Sequence, residues 1–141
     1  MKISTREGSE YFRGLLLLIG KDRVITDPEV TLMHRVGKAL GFNGQFTTEA
    51  IGTILDNSYI PSEPPKFSSV ELTKRFIRDG LAIARSDDGI HTFEADWLRA
   101  VALQNGLDVG WFEMEKESAM KRPRDLGASL EADSISVGTG S

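Results

Sequence analysis

At 141 residues the chain is long enough for one domain, and it can bury a core without a disulfide or metal staple. It has no cysteine, which excludes a disulfide framework, a thiol nucleophile and a thiolate zinc site. With 17 basic and 21 acidic residues and a net charge of −4, it lacks the basic excess that marks a nucleic-acid partner.

Residues 1–8 are polar and lack the apolar core of a signal peptide, so they are expected to be a flexible N-terminus. Together with the absence of cysteine, this fits a cytoplasmic protein. A first helix is expected over about 9–21. Its centre, Leu15–Leu16–Leu17–Leu18–Ile19, is apolar nearly all round, as in a helix surrounded by others, and far too short to span a membrane. Thr26 and Glu29 form a capping box with Pro28 in the first turn, opening a second helix that runs to about Leu40 and stops at Gly41. A short third helix is expected over 48–57, with Ile51, Ile54 and Leu55 inward. Pro61, Pro64 and Pro65 then interrupt the helical pattern, giving a stiff connector rather than a domain boundary.

Ser68 and Glu71 predict another capping box. It opens a fourth helix to about Arg85 that buries Leu72, Phe76, Ile77, Gly80, Ile83 and Ala84. A fifth helix is expected over 92–105, closed by Gly106, and a sixth after Asp108 with Trp111 and Phe112 against the core. From residue 121 small and polar residues dominate, and 121–141 reads as a disordered tail with no strand anywhere in the chain. The domain proper is 9–120, all-α, a compact bundle of six to seven helices.

Sliding the sequence by 65 residues superposes 11–42 on 76–107 without a gap. Arg13/Arg78, Leu16/Leu81, Asp22/Asp87, Ile25/Ile90, Glu29/Glu94, Val36/Val101 and Gly41/Gly106 are identical, where roughly two identities would arise by chance. The reading is a duplicated helical hairpin. Each copy has the same bend: Asp, two residues, Ile, three residues, Glu. Two roles fit these acids. Glu29 and Glu94 sit at N3, where a carboxylate satisfies exposed amides at the positive helix end, and Asp22 and Asp87 can tie down turn amides. Alternatively, the two bends together make an oxygen-rich site for a hard divalent cation. Asp87–Asp88–Gly89 invites comparison with an EF-hand, but Ile90 directly follows the glycine and the alternating oxygen ligands are missing.

These bends also carry a family resemblance. Y-F-R-G-L-L-L-L-I-G-K-D-R-V-I-T-D-P-E, from Tyr11, and G-L-A-I-A-R-S-D-D-G-I-H-T-F-E, from Gly80, resemble the TerB family of bacterial tellurite-resistance proteins. The related helical domain of some membrane-anchored J-domain co-chaperones shares this type of turn. The resemblance covers about Tyr11 to Trp111. Copy one departs from the pattern by carrying Arg23 and Val24. The resemblance implies two interlocked helix bundles, no enzymatic activity, and an acidic cluster for a divalent metal cation formed by Asp22, Glu29, Asp87, Asp88 and Glu94. The tellurite label denotes a stress-response phenotype, and the chain has no thiol with which to reduce tellurite.

Other chemistry is sparse. His91 occupies the cap position matched by Thr26 and is read as solvated or cap-bonded, with ligation as the sharper option; His34 is read as a surface residue. No P-loop, zincin, nucleophile-elbow or dinucleotide fingerprint is present. Lys74, Arg75, Arg78 and Arg85 give the fourth helix a basic face, either solvated or a seat for an anion or partner. The expectation is a non-enzymatic TerB-like module holding a divalent cation. The alternative is a protein-interaction adaptor, co-chaperone-like, whose acids are structural caps; a carboxylate pair with His91 activating water on a metal is the remote third.

Overall fold

The computed structural model describes residues 1–20, 24–56, 63–86, 89–123 and 127–138, and shows an all-helical bundle. Six helices carry it: α1 (Thr5–Ile19), α2 (Asp27–Ala39), α3 (Gly44–Asp56), α4 (Val70–Ala84), α5 (Thr92–Gln104) and α6 (Val109–Lys121). Each helix of the first three recurs 65 residues later with the same length: 15, 13 and 13 residues. The duplicated unit is therefore three helices, not the two expected from 11–42 and 76–107. Gly41 and Gly106 end the second helix of each copy with φ of 91° and 82°, a backbone that glycine adopts without a side-chain clash.

The third helix shows why the sequence understates the repeat. Asn43 to Asp56 shares no identity with Asp108 to Lys121. What survives is the cap: Phe46 N–H donates to Asn43 Oδ1 at 2.7 Å, and Trp111 N–H donates to Asp108 Oδ2 at 3.2 Å. The Asn43 cap starts α3 four residues before the expected position. Ser4 likewise starts α1 early by accepting from Glu7 N–H at 3.2 Å. For α4 the cap is Ser69, which accepts from Leu72 N–H at 3.1 Å, rather than Ser68, whose N–H donates to Glu7 instead. The expectation for Leu55 falls on a side chain outside the described residues.

The copies interlock. α1 packs against α4, α1 also packs on α5, and α2 packs on α4, so each first helix touches the second helix of the other copy. Tyr11 and its repeat mate Phe76 meet at this centre, with ring centroids 5.4 Å apart and planes at 89°. Leu15, Leu18, Ile19, Leu72, Ile77, Leu81, Ile83 and Leu98 are buried around them. Burying such side chains contributes on the order of 1.5–3 kcal/mol each before conformational entropy is charged against it.

The tail corrects the sequence reading. Residues 121–141 were expected to be disordered and 1–8 flexible, with no strand. Instead α6 continues through Lys121, a one-turn 3₁₀ helix forms at Glu131–Ser134, and β2 (Ser136–Val137) pairs in parallel with β1 (Lys2–Ile3). Leu130, Ala132 and Ile135 are buried, and the 3₁₀ turn packs on α4 and α2. This segment is the second-copy counterpart of 63–67, the described part of the proline connector, which packs at the corresponding place in copy one. There Pro65 is buried beside Gly14 of α1, and its carbonyl and the Phe67 N–H are both bound by the side chain of Asn105 at the end of α5. Long-range contacts, invisible to local periodicity, order residues 128–138, while 124–126 and 139–141 lie outside the described residues.

Candidate functional site

The two bends place their glutamates alike. Thr26 has extended backbone, and its Oγ1 accepts from Glu29 N–H at 3.3 Å while Glu29 Oε1 accepts from Thr26 N–H at 2.9 Å. In copy two Glu94 Oε1 accepts from His91 N–H at 3.1 Å. Glu29 and Glu94 are 4% and 3% exposed, so both carboxylates leave water for the positive ends of α2 and α5. Ile25 and Ile90 pack partly against the core beside them, anchoring each bend. The capping role expected of Glu29 and Glu94 is present in both copies, whereas the turn role expected of Asp22 and Asp87 lies outside the described residues. Asp22, Asp87 and Asp88 lie outside the described residues. Among the described residues, no group of three or more His, Asp or Glu side chains is placed to hold a metal ion, so Glu29 and Glu94 are not gathered with a third described acid.

His91 is exposed and stacks on Phe93, with ring centroids 5.4 Å apart. His34 is half-buried and ties α2 to α3, its Nε2 lying 3.2 Å from Thr48 Oγ1. Phe112 is buried as expected, whereas Trp111 is partly buried beneath Lys74 and Arg78, whose charged groups stand 5.3 and 5.8 Å from its ring.

A strongly perturbed acid stands outside the two bends, at a position the apolar periodicity of α4 assigns to the core. Asp79 lies in the middle of α4 and is 1% exposed. Its Oδ2 accepts from the Tyr11 hydroxyl at 2.7 Å and from Ala132 N–H at 2.9 Å, and its Oδ1 accepts from Glu131 N–H at 2.7 Å. Burial pushes its carboxyl up from 3.8 to about 6, against the pull of these three donors. The Tyr11 hydroxyl is raised well above its usual value by the same burial and by the Asp79 charge beside it. With both oxygens engaged, Asp79 acts as a clasp that caps the 3₁₀ turn rather than as a base aimed at a substrate. A signal was present: the spacing 72, 76, 79, 83 puts Asp79 on the apolar stripe of α4, and an acid there needs partners. Among the described residues, no buried side-chain nitrogen or oxygen lacks a hydrogen-bond partner.

Arg99 joins α5 to α6 by donating to Glu113 at 2.8 Å, while also pairing with Asp96. The hydrogen bond from Arg99 holds the Glu113 carboxyl below its ordinary value. No helix among the described residues is long and apolar enough to cross a membrane. No protein-family model, curated protein or solved structure matches the chain.

Proposed function

We propose that this chain is a non-enzymatic, TerB-like stress-response module of the tellurite-resistance type that holds a divalent cation at its paired acidic bends, in the cytoplasm of a bacterial cell. One observation carries the reading: each copy opens its second helix with a buried, cap-bonded glutamate, Glu29 or Glu94, and in the sequence each stands seven residues after an aspartate. Carboxylates and turn carbonyls are the ligands hard cations take. The reading is tested by calorimetric titration of the full chain with calcium, magnesium, manganese and zinc. Saturable heat that is lost in both Asp87→Asn and Asp22→Asn supports it; equal heat in wild type and both variants counts against it.

A second reading is favoured by the capping geometry itself. Because Oε1 of each glutamate already serves its own cap, the acids can be purely structural and the domain a protein-interaction adaptor. Glu94→Gln then lowers the melting temperature without any ion-dependent difference from wild type. If instead the stability gap between wild type and Glu94→Gln widens when a divalent ion is added, the acids bind metal and this second reading fails.

A further inference from the structure

A cavity of about 120 Å³ opens between α4, the end of α6 and the returning tail. Its floor is apolar, formed by Leu32, Ala82, Ala119 and Leu130, while Arg78, Arg85 and Arg122 line its rim. Arg78 is already neutralised by Glu115 at 3.3 Å and Glu131 at 3.5 Å. Arg85 and Arg122 are not. Among the described residues neither makes an ion pair. Arg85 Nε donates to the Arg122 carbonyl at 3.1 Å, with its Nη2 on the same oxygen, and Arg122 Nη2 reaches Ser118 Oγ at 3.4 Å. Neutral acceptors therefore orient two guanidinium groups whose charge no described carboxylate offsets.

This rim belongs to one copy only. The residues standing 65 positions before Arg85 and Arg122 are Gly20 and Asn57, so the second copy alone carries both charges. Beyond Arg78 the groove widens toward Glu131 and Asp133, whose carboxylates pair with Arg78 and Arg35. The cations at that end are engaged by carboxylates, which leaves the Arg85 end as the place to seat an anion.

We propose that this cavity binds a small amphiphilic acid: an oxyanion head group held by Arg85 and Arg122, with a compact apolar body on the Leu32–Ala82–Ala119–Leu130 floor. Guanidinium groups recognise carboxylate and phosphate oxygens with paired N–H donors. The volume sets the size of the body, since a cavity of about 150 Å³ accommodates a benzene ring. Arg85 and Ser86 stand just before Asp87 in the sequence, but the site uses none of the acids of the bends and stands whether or not they hold a metal.

The probes are benzoate, phenyl phosphate, inorganic phosphate and benzyl alcohol, titrated into the full chain and followed by amide chemical shifts. Benzoate or phenyl phosphate is expected to shift Ala82, Ser86, Ala119 and Ser129 saturably, and to do so more weakly as salt is raised. Arg122→Gln should weaken that binding by about tenfold, the loss of one charge-assisted contact. Arg85→Gln should do the same, and because Arg85 also holds the end of α6, Ala119→Leu provides a second variant that fills the floor and leaves the charges in place. It should abolish binding of both aromatic acids. Benzyl alcohol binding as tightly as benzoate, inorganic phosphate binding as tightly as phenyl phosphate, or no response to either aromatic acid at about 10 mM would each overturn the proposal.

Discussion

Tyr11 and Asp79 are joined by a 2.7 Å hydrogen bond between residues 68 apart in sequence, and Asp79 passes the connection on to the backbone of Glu131 and Ala132. One carboxylate thus holds the first helix of copy one, the first helix of copy two and the tail. Tyr11→Phe removes a buried, charge-assisted hydrogen bond and should cost about 1.5–3 kcal/mol in urea unfolding. It should also raise the Asp79 carboxyl further, because the Tyr11 hydroxyl is one of the donors that lowers it. Carboxyl NMR titration of the variant reads that shift directly.

The raised Asp79 value gives the stability a pH dependence of definite sign. A group that binds its proton more tightly when folded stabilises the fold fully below its unfolded value, 3.8, and loses that contribution as pH rises through about 6. The stability of wild type relative to Asp79→Asn should therefore fall by on the order of 3 kcal/mol between pH 3.5 and pH 7. A relative stability that rises over this range would mean that the three donors outweigh burial.

Two glycines should respond oppositely to alanine. A Cβ on Gly14 would lie 2.7 Å from two ring carbons of Phe76 and 2.8 Å from the Pro65 ring, and both rings are buried with little room to move. Gly14→Ala should cost at least ~1–3 kcal/mol through overpacking at the interface between the copies. Gly52, on α3, has nothing within 4 Å of that position. There the same change should stabilise by about 0.5–1 kcal/mol through helix propensity alone.

Removal of residues 128–141 tests the tail as a structural part. It would strip Leu130, Ala132 and Ile135 from their groove and leave Asp79 without two of its donors. The shortened chain should keep its helical circular dichroism but lose amide-exchange protection in α4 and α2, the helices the 3₁₀ turn covers. Unchanged protection would show that the tail contributes no cohesion.

The helices were legible because their apolar stripes and caps are local. Thr26 with Glu29, the glycine stops and the spacing along α4 each sit within a few residues of the feature they specify. The register of the repeat was legible for the same reason, through the matched bends. What escaped was non-local or chemically disguised. The caps Ser4 and Asn43 precede turns with little apolar patterning, so α1 and α3 start earlier than their stripes suggest. The third helices diverged until only the cap and an aromatic residue, Phe46 or Trp111, remained in common. The tail segment around Leu130, Ala132 and Ile135 lacks a helical period and is bound by Asp79, 52 and 53 residues away. Of the expected metal ligands, Glu29 and Glu94 were legible as caps, while their role toward an ion depends on Asp22, Asp87 and Asp88, which lie outside the described residues.

The central claim, that the paired bends seat a divalent cation, is tested most directly by amide NMR spectra of the full chain recorded while calcium, magnesium, manganese or zinc is added to about 10 mM. The account predicts that at least one ion perturbs residues 22–29 and 87–94 together, saturably and with one midpoint. Spectra in which both bends stay unchanged with all four ions would contradict it.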